Sequence, residues 1–245
     1  MPGCLHSLAF CDQILVADLG SEDNSAQIAQ ECGAEVLAFN KVAIVEHILP
    51  AILPFARNEW VVRLDPDEIF PLSLVYDLCT EILRSDLLAI ISVPYQYYFR
   101  GKPLTSTIWG GTRYIPRVFH KERVILEPYV HSGIRCKEGY MSAKIEKSGC
   151  NFVQHYWADS FAQLFEKHQR YIQEEGEARY QQGQRFTWRK LPGAVLYALK
   201  YNLIDCGGVQ DGLIGIVLSM FYAWYVTMSL LSLRRYQKRH CRSQD

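Results

Sequence analysis

The chain has 245 residues, 49% of them hydrophobic, with lysine plus arginine matching aspartate plus glutamate at 26 each. That content supports a sizeable core and excludes global disorder, and the even charge excludes the basic footprint of a nucleic-acid binder. The 8 cysteines are scattered without C-x-x-C or metal-finger spacing, and residues 1–11 lack the basic and then apolar pattern of a signal peptide, so a reduced, cytoplasmic setting is expected.

In chain order, residues 13–17 read as a strand ending at Asp18, followed by a turn-rich loop that holds Ser21 and Asp23. A helix is expected over 25–32, stopped by Gly33, and a strand over 35–39. A helical stretch over 44–57, interrupted by Pro50 and Pro54, leads to the apolar run 60–64, which reads as a buried strand. Alternating strands and helices predict an α/β fold with a parallel sheet. In such sheets ligands collect beyond the strands' carboxyl ends, where Asp18 and Asp65 both fall.

Asp65-Pro66-Asp67-Glu68 follows the 60–64 strand directly. On extended chain the Asp65 and Asp67 carboxylates would point the same way, and Pro66 biases Asp65 towards extended backbone. Such a pair suits a hard divalent cation that is itself bound to a substrate diphosphate. The competing reading is an acidic turn after a strand.

Beyond Pro71 a helix is expected to about Ser85, then a β-rich aromatic run over 87–98, a loop over 99–111 and a hairpin of 114–119 with 123–126. Residues 151–156, with His155, read as a strand. The clearest helix begins at Ser160, where Ser160 and Gln163 form a capping-box pattern. Phe161, Leu164, Phe165, His168, Tyr171 and Ile172 make one core stripe, and Glu174, Glu175 and Glu177 read as a solvated face. Residues 213–233 carry no charge and are long enough to span a bilayer. Arg234, Arg235, Lys238, Arg239 and Arg242 follow them. A basic apolar helix suits a membrane, spanning it or lying flat; a helix buried against the domain is the alternative. The expected division is 1–190 and 191–245.

Several short patterns then recur in a familiar order. Residues 14–25, from Ile14 through Asp18, Ser21 and Asp23, are similar to a strand followed by D-S-G-S-T-D-G-T, and residues 60–68 to W-I-L-x-L-D-A-D-E. Arg117-Val118-Phe119 with Val130-His131 is similar to R-L-F followed by V-H-E. His155-Tyr156-Trp157, with Lys167-His168 and Arg170-Tyr171, is similar to an H-Y segment followed by K-x-x-R-Y on a helix. Asp211-Gly212 with Gly215 is similar to the D-G-x-x-G start of a terminal hydrophobic helix. Together they resemble the family-two glycosyltransferases on the GT-A nucleotide-diphosphosugar transferase fold, above all the branch that includes lipopolysaccharide core glucosyltransferases.

The resemblance implies a Rossmann-like mixed sheet flanked by helices, with a C-terminal hydrophobic helical segment. It implies a metal-dependent, inverting transfer of sugar from a nucleotide-sugar donor to a cell-envelope glycan or lipid-linked acceptor, at the cytoplasmic face of the membrane. Asp65, Asp67 and His155 would hold Mg2+ or Mn2+, and Asp18, Ser21, Asp23 and Asp65 would contact the nucleotide. His155 could equally be a hydrogen-bonded structural residue. Arg100, Lys102 and Arg117 would contact phosphates or solvate loops. The acid of V-H-E is Ser132 here, which leaves Glu68, Glu127 and His131 as candidate catalytic bases. Residues 1–8 resemble the helix after the family's first strand, so that strand is expected to be absent and the chain poorly stable and poorly active. Two other readings stay open. One is an aspartate-based phosphatase, for which Glu68-Ile69-Phe70 lacks the expected glycine or threonine; the other is a degenerate, non-catalytic, membrane-associated fragment of such an enzyme that no longer binds donor.

Overall fold

The structure, a computed structural model, describes residues 1–40, 48–126 and 134–242. Helix α1 (Pro2–Ser7) leads to strand β1 (Leu15–Asp18), helix α2 (Ser25–Glu31) and strand β2 (Glu35–Ala38). Gly33 lies just beyond α2 at φ 83°, the left-handed conformation that ends a helix without a Cβ penalty. β1 and β2 pair in parallel, Leu15 opposite Glu35, over a cluster built on Leu5, Ala29 and Ala34. Part of the expected 44–57 helix lies outside the described residues. Its remainder is the short helix α3 (Leu49–Ile52) and a 3-10 turn at Leu53–Phe55, because each proline removes a helix donor.

The main sheet is built from β3 (Trp60–Val62), β4 (Glu68–Ile69), β5 (Leu88–Phe99), β6 (Lys102–Pro103) and β7 (Arg113–His120), with two later strands; helix α4 (Leu72–Ile82) lies between β4 and β5. After β7 come β8 (Val124–Leu126), β9 (Ile134–Cys136), β10 (Met141–Lys144) and β11 (Val153–Ala158). The main order is β3-β7-β5-β11-β4, with β6 and β10 also on β5. β5 is buried along nearly its whole length, as its run of apolar and aromatic residues demands of an interior strand.

The sheet departs from the parallel sheet expected from the strand–helix alternation and has the mixed strand directions expected from the resemblance. β7 is antiparallel to both β3 and β5, β10 is parallel to β5, and β1–β2 forms a separate sheet. The architecture is therefore mixed α/β. The expected hairpin of 114–119 with 123–126 does not form. β7 already has β3 and β5 on its two edges, so β8 pairs with β9 instead.

The chain divides into two compact units, Met1–Gln96 with Thr112–Trp157, and Tyr97–Gly111 with Ala158–Asp245. In the second, α5 (Phe161–Gln181), α6 (Leu191–Lys200) and α7 (Gly212–Arg242) pack together. α5 thus groups with the C-terminal segment, where the sequence placed the break at 190/191. Ser160 Oγ accepts from the Gln163 N–H at 3.2 Å, and Gln163 Oε1 accepts from the Asp159 N–H at 2.9 Å, which realises the cap. α5 and α7 run alongside each other through ring contacts from Phe165–Phe221 to Tyr180–Tyr236. A Cβ on Gly176 would come within 2.6 Å of Ser232 Oγ, so glycine sets that close approach. Two expectations about α5 need correction. Phe165 and Tyr171 keep considerable exposure despite lying in the core stripe, and Glu175 is buried where a solvated face was expected. Glu175 takes a hydrogen bond from Tyr225 of α7 and pairs with Arg179, one turn further along α5, at 3.5 Å.

Candidate functional site

The first unit carries a charged cluster at the end of β3. The Glu68 N–H donates to the Asp65 carbonyl at 3.0 Å, closing a four-residue turn with Pro66 and Asp67 at its centre. Proline's fixed φ favours the second position of such a turn. The extended geometry expected for Asp65 and Asp67 is therefore absent, and their carboxylates diverge. Asp65 Oδ2 accepts from Arg117 Nη2 at 2.8 Å, while Asp67 Oδ2 faces His155 Nε2 at 3.4 Å.

Strand pairing delivers the partners. β11 runs antiparallel to β4 with His155 opposite Glu68, and the Tyr156 N–H donates to the Asp67 carbonyl at 2.8 Å. β7 supplies Arg117, whose carbonyl accepts from the Arg63 N–H at 2.8 Å. β5 supplies Tyr95, buried beneath the Arg117 guanidinium at 5.5 Å.

Glu68 is the hub. Its exposure is 0%. It accepts from Arg117 Nη2 at 2.7 Å, the Asp65 N–H at 3.0 Å and the Tyr95 hydroxyl at 3.1 Å, and His155 Nδ1 lies 3.5 Å away. Burial pushes the Glu68 carboxyl up, with Arg117 opposing. Burial also disfavours charge on Asp65, but Arg117 outweighs it and holds that carboxyl below its usual range. The Tyr95 hydroxyl is pushed up by burial and stays a donor. Burial works against the charge of Arg117 too, yet Tyr95, Asp65 and Glu68 together hold it firmly protonated. Helix α1 clamps the turn: Cys4 Sγ donates to the Asp65 carbonyl at 3.4 Å and Ser7 Oγ accepts from the Phe70 N–H at 3.0 Å. Burial raises the Cys4 thiol to about 11, so it remains a neutral donor.

Among the described residues there is no group of three or more His, Cys, Asp or Glu side chains poised around one cation. The pair Asp67 and His155 does fit such an ion. Ligand bonds of about 2.1 Å at near-right angles set two donor atoms about 3 Å apart, close to the 3.4 Å seen. Asp65 does not fit as a third ligand, because its carboxylate is committed to Arg117.

The other expected nucleotide contacts make local bonds. Asp18 Oδ1 accepts from the Ser21 N–H at 3.1 Å, and Asp23 Oδ1 from the Ser25 N–H at 2.9 Å at the start of α2. Both carboxyls are held below their usual range by those serines. Glu127 and His131 lie outside the described residues, as does Ser132. Of the expected bases this leaves Glu68, which has no surface from which to take a substrate proton; it orients Arg117, Tyr95 and His155.

Sequence reasoning missed Tyr95 and Cys4, and left Arg117 as a loop or phosphate contact. A signal for Arg117 was present. An arginine inside an apolar strand must find a buried acid, and Glu68 was the acid at hand. No protein-family model matches the chain.

Proposed function

We propose that this chain is a GT-A-type, inverting glycosyltransferase. It moves a sugar from a nucleotide-diphosphate donor to a cell-envelope glycan or lipid-linked acceptor at the cytoplasmic face of the membrane. The observation that carries this reading is the Asp67–His155 pair, 3.4 Å apart at a strand end, backed by the buried Arg117–Glu68–Tyr95 network. A carboxylate and an imidazole together suit Mn2+, and Mg2+ with less ease. Such an ion, when bound, offsets the charge that grows on a departing diphosphate. Asp67 and His155 would hold it, and the network behind packs against His155 through Glu68 and Tyr95, so that little reorganisation of the imidazole is needed at the moment of transfer.

In the transfer itself the acceptor hydroxyl oxygen bonds to the anomeric carbon as the bond from that carbon to the diphosphate oxygen breaks. The hydroxyl proton passes to a base, and the nucleoside diphosphate leaves with the bonding pair. The Asp65–Arg117 ion pair speaks against the phosphatase reading, since a carboxylate so paired is a poor nucleophile. A second reading, a non-catalytic donor-binding protein, is favoured by the full burial of Glu68 and by the separate β1–β2 sheet.

The test is sugar release and transfer from radiolabelled nucleotide sugars with Mn2+, comparing the natural chain with Asp67→Asn. Transfer lost in the variant supports the enzyme and its cation site. Cation-dependent donor binding without turnover favours the second reading, and transfer unaffected by Asp67→Asn overturns the role of Asp67 and the second reading together.

A further inference from the structure

Among the described residues, the second unit exposes an apolar surface. α6 exposes Leu196 and Tyr197, at 67% and 64%, and the turn after it exposes Ile204 at 69%. Val209 is exposed in the 3-10 turn before α7, and Leu213, Ile216 and Met220 follow on α7 at spacings of three and four residues as one exposed stripe, with Leu213 at 77%. Tyr197 and Tyr201 stack at 5.7 Å across one helical turn. Leucine, isoleucine and methionine standing out beside tyrosines is the composition of an interfacial surface.

Basic residues gather at one end of this surface, where the Tyr236 hydroxyl also donates to Glu177 Oε1 at 3.1 Å. Arg234 lies over the Trp188 ring at 4.5 Å, and the Phe186 N–H donates to Gln237. The end of α7 therefore meets the start of α6, and the two form an antiparallel pair. Arg185, Arg189 and Lys190 collect there with Arg234, Arg235, Lys238 and Arg239. No carboxylate occurs from Gly212 to Arg242. The acids at the opposite end are spoken for: Asp205 pairs with Lys200 at 3.2 Å, and Asp211 accepts from the Thr105 and Ser106 hydroxyls and N–H groups.

α7 is long and apolar enough to cross a membrane by composition, but its packing argues against that use. α5 lies against it through Phe165–Trp224, His168–Tyr225 and Gly176–Ser232. The open side of α5 carries exposed Glu166, Arg170 and Glu177. An upright α7 would drag those charges into hydrocarbon, where charges are strongly disfavoured. Leu213 and Arg234 are also about 32 Å apart along the helix at 1.5 Å per residue. Lying in the interface plane keeps the leucine stripe and the arginines at one depth; standing upright does not.

We infer that the second unit docks on an anionic lipid bilayer as a monotopic element, inserting α6, the turn after it and the first turns of α7 without spanning. This rests on the membrane placement proposed above and is independent of the transfer chemistry. The apolar stripe enters the boundary of the acyl region, and the basic end meets anionic headgroups.

Flotation of the full chain with phosphatidylglycerol and with phosphatidylcholine vesicles tests it. Binding is expected to the first and to be weak on the second. Ile204→Glu with Leu213→Glu should cut binding at least about tenfold, and Lys190→Ala about fivefold, each with an unchanged circular dichroism melt. Tyr76→Glu, at an equally exposed apolar site on α4 of the first unit, should leave binding unaltered. A C-terminal tag should stay open to protease outside sealed vesicles, and alkaline carbonate should strip the chain. A protected tag with carbonate resistance would overturn flat docking in favour of spanning. Absence of vesicle binding would overturn the membrane placement as well, while leaving manganese binding at Asp67 unaffected.

Discussion

The two units bury polar groups in opposite ways. In the first, a single guanidinium nitrogen of Arg117 serves two carboxylates, and one of these, Glu68, takes further bonds from the Asp65 N–H and the Tyr95 hydroxyl. In the second, His168 and Glu175 each keep a local partner, the Leu164 carbonyl at 2.8 Å and the Tyr225 hydroxyl, and otherwise sit among rings and a tight glycine contact. A directional charge network positions side chains finely but tolerates no missing member. Ring packing tolerates changes of polarity and resists changes of volume. The first arrangement suits a site, the second a scaffold.

The sharpest way to break this contrast is Arg117→Ala. It leaves Asp65 and the wholly buried Glu68 uncompensated and should cost about 3–5 kcal/mol in urea unfolding. A loss under about 1 kcal/mol would mean the network is far wetter than its 0% exposure at Glu68 suggests. Next in size is Gly176→Ala, which should cost about 1–3 kcal/mol by forcing α5 from Ser232; Ser232→Ala in the same chain should recover part of it. Ser160→Ala removes the cap of α5 and should cost about 1 kcal/mol, readable as a small drop in melting temperature.

The smallest expected effect is one of pH. Burial holds His168 below its ordinary value of 6.5, so the unfolded chain binds its proton more readily. Stability from this group is complete above pH 6.5 and falls as the pH drops from there through the lowered folded value. His168→Phe should flatten that limb of a stability–pH profile. An unchanged limb would assign it to another group.

How much of this was legible in the sequence depended on the range of the interaction. Local signals carried well: the Ser160 cap, the Gly33 stop and the long apolar helix at 212–242 all depend on residues within a turn or two. The sheet was harder. Period and propensity identify β7 and β8 as strands but are silent on partners, and β7 spent both edges on β3 and β5. The site failed in an instructive place. Asp65 and Asp67 were expected to act together because extended chain aligns alternate residues, yet Pro66 made a turn and sent the two acids to different partners. His155 was marked for attention from sequence, but only the β11–β4 register shows that it meets Asp67 and not Asp65. Tyr95 was hidden by its surroundings, one of four aromatics in a mostly buried strand.

The central claim is that Asp67 and His155 form one half of a cation site for a nucleoside diphosphate. Calorimetric titration of Mn2+ with a nucleoside diphosphate into the natural chain and Asp67→Asn tests it most directly. The account predicts measurable binding by the natural chain, at least about tenfold weaker in the variant, with melting temperatures matched. Equal binding by the two proteins, or no binding by either, would contradict it.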